Sequence, residues 1–313
     1  MKSYLLYLLL IGWFAISQSG ISQESKNLAE KLGYPKDSKL LIIHADDLGL
    51  SHSTNVATIK AFESNNITSG SVMMPCPWIS EIADYAKTHP GLDVGIHLTL
   101  TSEWKYYKWG GILGTGKTPS LTNPFGFLYA SSEEVGKTAK PEEVEMELKA
   151  QIDKAFAMGI PLTHLDNHMG SLLSNPELIK IYFKLAKKYG LPILIPSMYL
   201  GYMPPAIATL LGPDIVKVDN LFMLTPEITS EKWGDPYQKF IASMKPGLNE
   251  IIVHLSLDND EMQAIAGGIA AYGSAWRQKD LDYVSSEDFK KTLQENNIVL
   301  IHWKQIRDVM AKK

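Results

Sequence analysis

Short runs rich in Leu, Ile and Val recur along this chain, and most are followed by a stretch that reads as helix. The apolar runs span 40–45, 68–74, 92–98, 161–165, 192–195, 250–255 and 297–302. The helical stretches span 54–65, 78–88, 141–158, 175–189, 203–211, 235–244, 260–271 and 285–296. Near-continuous apolar runs suit strands covered on both faces, and strands separated by helices pair in parallel. The pattern predicts an α/β fold. The number of units, with no linker-like stretch between them, favours a (β/α) barrel with parallel strands and outer helices over two separate domains. An open doubly wound sheet is the alternative, because strand order is not written in local pattern. The clearest helix start is Pro141-Glu142-Glu143, with proline in the first turn and acids at the positive end of the dipole.

Two segments break the alternation. Residues 103–140 hold Trp104, Tyr106, Tyr107, Trp109, Phe125, Phe127 and Tyr129 among Gly and Pro. Residues 196–230 hold Tyr199, Tyr202, Pro204, Pro205 and Phe222. Aromatic content of this kind argues against disorder. The rings either form a wall for a flat apolar substrate face such as a sugar, or pack the barrel ends.

The first residues read differently. Lys2, an apolar stretch over Tyr4–Ile16, and then Ser17, Gln18, Ser19 and Gly20 have the layout of a secretory signal peptide. The apolar stretch is short of the roughly 20 residues a membrane span needs. The expected organisation is a signal peptide over 1–22 and one catalytic barrel over 23–313, secreted or periplasmic, with no membrane association after cleavage. The single cysteine, Cys76, excludes an internal disulfide and reads as a packed small hydrophobe. A formal net charge of −4 gives no basic surface for nucleic acid.

The chemistry concentrates at strand ends. Asp46-Asp47 closes the run Leu40–Ala45, and two adjacent carboxylates there are costly unless something positive satisfies them. A helix N-cap needs only one Asp. Five of the eight histidines also fall at or just after strand ends: His97, His164, His168, His254 and His302. Sites of α/β folds are built at these ends, so several histidines converging with two aspartates point to a metal-dependent hydrolytic centre. Asp and His donors suit Zn, Mn, Fe, Co or Ni, and Mg where water completes the shell. No HExxH, Walker A loop, GxGxxG after a strand or GxSxG turn is present. His164 is expected to support another ligand, and Asp166 to cap or orient a histidine. His52 and His89 read as surface residues, and His302 as core.

Three motifs carry a resemblance. Leu41-Ile42-Ile43-His44-Ala45-Asp46-Asp47-Leu48-Gly49-Leu50-Ser51, Asp93-Val94-Gly95-Ile96-His97-Leu98-Thr99-Leu100 and Thr163-His164-Leu165-Asp166-Asn167-His168 resemble those of the YdjC-like carbohydrate deacetylases. The likeness continues through Glu250–His254 and Trp276-Arg277-Gln278-Lys279-Asp280-Leu281, in order over residues 38–306. It implies a distorted (β/α) barrel of the glycoside hydrolase/deacetylase type. It implies a divalent ion, Mg or Zn with Mn, Co and Ni also open, held by Asp47, His97 and His168. It implies Asp46 as catalytic base, His254 as a second proton-handling residue, and Arg277 holding or tuning a carboxylate. Two departures stand out. His168 is followed by Met169-Gly170 rather than further histidines, and His254 by Leu255 rather than Pro.

The expected reaction is hydrolysis of an acetyl group, an N-acetyl of an amino-sugar oligosaccharide, by activated water. A metal-dependent acetyl esterase on plant-type polysaccharide and a non-catalytic sugar-binding barrel are the alternatives. The expected partner is an acetylated oligosaccharide or polysaccharide. The oligomeric state is not readable, with a homodimer left open.

Overall fold

A computed structural model describes residues 26–201, 205, 215–227 and 231–311. The expected signal peptide and the helix expected over 203–211 lie outside these, Pro205 excepted. Among the described residues, seven strands form one parallel sheet: β1 (Lys39–Leu48), β2 (Ser69–Val72), β3 (Val94–Leu98), β4 (Leu162–Asn167), β5 (Asn220–Met223), β6 (Gly247–His254) and β7 (Ile298–Leu300). Their order is β4-β3-β2-β1-β6-β5, with β7 also paired to β1. β6 runs along β1 from Lys39 to Asp46, so β7 and β2 divide the other edge, at Lys39–Leu41 and His44–Leu48 respectively. Between β4 and β5 there is no ladder among the described residues. Single bridges, Leu165–Ile193 and Pro196–Val218, span that gap. The run 192–195 is therefore a bridge segment rather than a strand, and the barrel is distorted at this side.

The sheet explains why the runs are apolar from end to end. β1 is buried over all but its first residue. Its odd-numbered Leu41, Ile43 and Ala45 pack outward with Ala57, Ile241, Val284 and Phe289 of the surrounding helices. Its even-numbered Leu40 and Ile42 face inward, with Leu248, Ile301 and Trp303 closing the floor of the barrel. Side chains alternate along a strand, so the same inner face continues upward as His44 and Asp46. Glu250 and His254 of β6 follow Leu248 on the corresponding face. The barrel interior is thus apolar at the N-terminal ends of the strands and ionisable at the C-terminal ends. Gly95 serves this interior: a Cβ there would lie 2.5 Å from the His164 ring.

Several elements differ from the local pattern. The helix Ser274–Val284, the C-terminal helix Trp303–Met310, the short helix Ser132–Thr138 and strand β5 stand where none was expected. The helix expected over 260–271 stops at Ala266, where Gly267 and Gly268 take positive φ. Among the described residues, no helix is long and apolar enough to cross a membrane.

Candidate active site

An aspartate doublet on a regular strand would point its two side chains to opposite faces. Here the backbone breaks the rule. The β1–β2 register shifts between Ala45 and Leu48, and Asp47 takes φ of 69°. This bulge turns Asp47 to the same end of the barrel as Asp46. Both carboxylates then meet the histidines from the ends of β3, β4 and β6.

Three atoms converge. Asp47 Oδ1 lies 3.5 Å from His97 Nε2 and 3.6 Å from His168 Nδ1, and the two nitrogens are 3.2 Å apart. Donor atoms about 2.1 Å from a divalent ion lie roughly 3.0–3.4 Å from one another in octahedral or tetrahedral shells. The triangle fits such an ion. The chemistry of the atoms fits as well. Asp47 Oδ1 is buried without a hydrogen-bond partner. Each residue is held from behind: Asp47 Oδ2 accepts from Arg277 Nη2 at 2.7 Å, His97 Nδ1 pairs with Asp166 Oδ1 at 2.7 Å, and His168 Nε2 with Glu103 Oε2 at 2.9 Å. A carboxylate at one ring nitrogen fixes the proton there and leaves the lone pair of the other for a metal.

Asp46 stands beside the triangle. Its Oδ2 is 3.8 Å from both His97 Nε2 and His254 Nε2, and its Oδ1 is 3.2 Å from His44 Nε2. His254 is steadied through its backbone N–H, which donates to Asp280 Oδ2 at 3.2 Å. Asp280 Oδ1 accepts from Trp233 Nε1 and the Tyr237 hydroxyl. Arg277 is 2% exposed, donates Nε to the Tyr272 carbonyl, and lies 5.5 Å over the Trp104 ring.

Electrostatics separate these groups. Burial works to raise Asp47, but Arg277 and the three histidines hold it well below the usual carboxylate range. Burial works to lower His97, but Asp166, Asp46 and Asp47 push it up to about 9. Burial lowers His254 to about 4, against Asp47 and with the help of Arg277. Without a bound cation its ring is neutral at pH 7. Burial also raises Asp280 to about 6 and Glu250 to about 8.

The remaining histidines divide. His44 lies inside the barrel, directly below Asp46. His164 is one ring further down, edge-on to His44 and stacked on Trp303, each at 5.0 Å. It makes no hydrogen bond to His97 or His168. His302 joins no ion-binding triangle among the described residues, and its Nδ1 pairs with the Thr68 carbonyl at 2.7 Å. His52 and His89 are exposed.

The aromatic segment is partly core and partly surface. Trp104 and Trp109 are buried, with Trp109 6.4 Å from the His168 ring, while Tyr106 and Phe125 are exposed. Carboxylates of the helix Pro141–Ala157 hold the loop in place. Glu147 accepts from the N–H groups of Ile112 and Leu113, and Glu143 from that of Ser120.

Sequence reasoning missed Glu103, Asp280 and Glu250. Asp280 had a readable signal, because it lies three residues after Arg277, on one face of a helix. Glu103 had none beyond being an acid shortly after a strand end.

The family model for YdjC-like proteins matches residues 40–295, a span that takes in every residue of this site, with Ile301 and Trp303 of the barrel floor beyond it. The chain belongs to the YdjC-like family. A carbohydrate deacetylase of Thermus thermophilus is 31% identical over 91% of this chain and 99% of its own length. One from Thermoanaerobacter pseudethanolicus is 25% identical over 85% of this chain and 98% of its own. The protein is accordingly a carbohydrate deacetylase, a hydrolase. The fold agrees: a crystal structure from Enterococcus faecalis V583, of a protein named for cellobiose-phosphate cleavage, superposes with a TM-score of 0.72. It covers 86% of this chain and 99% of its own, at 24% identity.

Proposed function

We propose that this deacetylase removes an N-acetyl group from an amino-sugar oligosaccharide, in an exported protein whose catalytic barrel follows a cleaved leader. The observation that carries the reading is the triangle of Asp47 Oδ1, His97 Nε2 and His168 Nδ1 with the free carboxylate edge of Asp46 beside it. Asp47, His97 and His168 would hold a divalent ion. Such an ion supplies a polarised carbonyl and a water of lowered pKa.

Asp46 accepts the proton of the attacking water as it adds to the acetyl carbon. Arg277 takes no proton. It holds Asp47 ionised and aimed. His254 starts neutral, so a proton that it delivers to the leaving nitrogen first comes from Asp46, whose Oδ2 is 3.8 Å away. That gap is longer than a hydrogen bond and must close when substrate displaces solvent. The products are acetate and a free amine on the sugar. The exposed Tyr106 and Phe125 offer rings for stacking on the rest of an oligosaccharide.

The test is acetate release from N-acetylglucosamine oligomers and from acetylated xylan, with Mg, Zn, Mn, Co and Ni supplied in turn. Release from the amino sugar and not from xylan supports the reading. Release from xylan alone replaces it with an esterase, and sugar binding without acetate release replaces it with a binding protein.

A further inference from the structure

Below Asp46 lies a group of buried polar residues that the reaction above leaves unused. His44 is fully buried. Its Nε2 is 3.0 Å from Asp166 Oδ2, 3.1 Å from Ser71 Oγ and 3.2 Å from Asp46 Oδ1. Two of these three are carboxylate oxygens, which accept only, so Nε2 carries the proton. Nδ1 faces Glu250 Oε1 at 3.7 Å, and that oxygen accepts from Trp303 Nε1 at 3.1 Å. The ring is also fixed in rotation by His164, edge-on at 5.0 Å. Asp46 Oδ1 has no hydrogen-bond partner of its own, and His44 Nε2 is the group it faces.

The stem below His44 is therefore built to aim one N–H at two carboxylates. One is Asp166, which holds His97 through its other oxygen. The other is Asp46. An apolar side chain in the same space would leave Asp46 and Asp166 without the N–H that faces them. We propose that His44, its ring held by Asp166, Ser71 and His164, is a positioning residue that fixes Asp46 as the base and ties it through Asp166 to His97. With Oδ1 facing His44, Oδ2 is the oxygen left for water. Without His44, Asp46 is free to rotate about its side-chain bonds, and a displacement of about 1 Å at a reacting group costs on the order of 10²-fold in rate.

The inference rests on the proposed deacetylation, and the experiment separates the two. The full chain is loaded with the most active metal. His44→Leu, His44→Gln, Asp46→Asn and the Asp46→Asn/His44→Leu double variant are compared by kcat and KM for acetate release and by calorimetric metal affinity. His44→Leu should lower kcat about 10²-fold with KM and metal affinity within about threefold. His44→Gln keeps an N–H near the Nε2 position and should recover most of that loss. In the Asp46→Asn background His44→Leu should cost nothing further, because the group it positions is gone. Where His44→Leu does not fold, His44→Asn replaces it, since its amide stops short of Asp46. An equal loss in the Asp46→Asn background, metal affinity falling in step with kcat, or His44→Gln as poor as the shorter variants would each overturn the proposal. A wild-type protein that releases no acetate removes the functional reading instead. The inference is then judged by ¹⁵N imidazole NMR of the metal-loaded protein, where a His44 Nε2 without a proton overturns it.

Discussion

Asp46→Asn and Asp47→Asn exchange one oxygen for nitrogen at neighbouring positions, and the structure predicts different failures. Asp47 Oδ2 is 2.7 Å from Arg277 Nη2, with side-chain exposures of 3% and 2%. At that burial the relevant scale is not the 0–1 kcal/mol of a surface pair. Removing one partner of a buried pair costs about 3–5 kcal/mol, because the other charge is left uncompensated. Asparagine keeps the size and one accepting oxygen, so the lower end, about 3 kcal/mol, is expected for the metal-free Asp47→Asn protein. It should also lose more metal affinity than the 10–100-fold that follows loss of an outer partner. Asp46 has no guanidinium partner: its contacts are imidazoles at 3.2–3.8 Å, which can give up a proton when the carboxylate is lost. Asp46→Asn should change stability by about 1 kcal/mol or less and keep the metal. Turnover should fall by about 10²–10⁴ as the base is lost. Urea unfolding in chelator, calorimetric metal titration and acetate release measure the three quantities. Metal lost in Asp46→Asn and kept in Asp47→Asn would reverse the two assignments. Equal stability losses would refute the electrostatic reasoning.

Other outcomes follow from the same geometry. His97→Ala and His168→Ala should lose metal and turnover together in calorimetry and acetate assays, whereas Glu103→Gln should weaken the metal by about 10–100-fold and leave some turnover at saturating ion. In the metal-free protein His97 and His254 put opposite slopes on stability above and below pH 6.5, and Glu250 and Asp280, raised to about 8 and about 6, add a loss as pH rises from about 4. His97, raised to about 9, contributes stability that is full below its unfolded value of about 6.5 and is lost as pH rises through 9. His254, lowered to about 4, contributes stability present above about 6.5 and lost as pH falls through 4. Urea midpoints in chelator across pH 4–10 check this, and stability that does not fall between about pH 6.5 and 9 would contradict it. Metal binding must displace the His97 proton, so calorimetry at pH 7 in buffers of different ionisation enthalpy should show about one proton released per ion. Glu147→Ala removes the acceptor of two half-buried loop N–H groups, at about 1 kcal/mol each. Hydrogen exchange over 110–122 should then quicken.

The main strands were legible because a barrel strand is buried on both faces and its composition shows it. β1, β3, β4 and β6 fall where the apolar runs predicted, and their ends carry the residues singled out from sequence. The helix Ser274–Val284 was not legible. Its buried positions include Ser274, Arg277 and Asp280 as well as Leu281 and Val284, so polar residues interrupt the apolar period that marks a helix. β5 was missed because its four residues are half-exposed at the edge of the sheet.

Sequence by itself determined the fold class, the polarity of the strand ends and the set of acids and histidines there, since these depend on residue type and local spacing. Tertiary structure decided what the doublet does. The strand alternation would send Asp46 and Asp47 apart, and only the bulge with its left-handed Asp47 brings them to one side. It also decided the partners. Arg277 reaches Asp47 across 230 residues of sequence, and Asp166 reaches His44 across 122. The ionisation of these groups depends on such distances and on burial, neither of which is a property of any local stretch of chain.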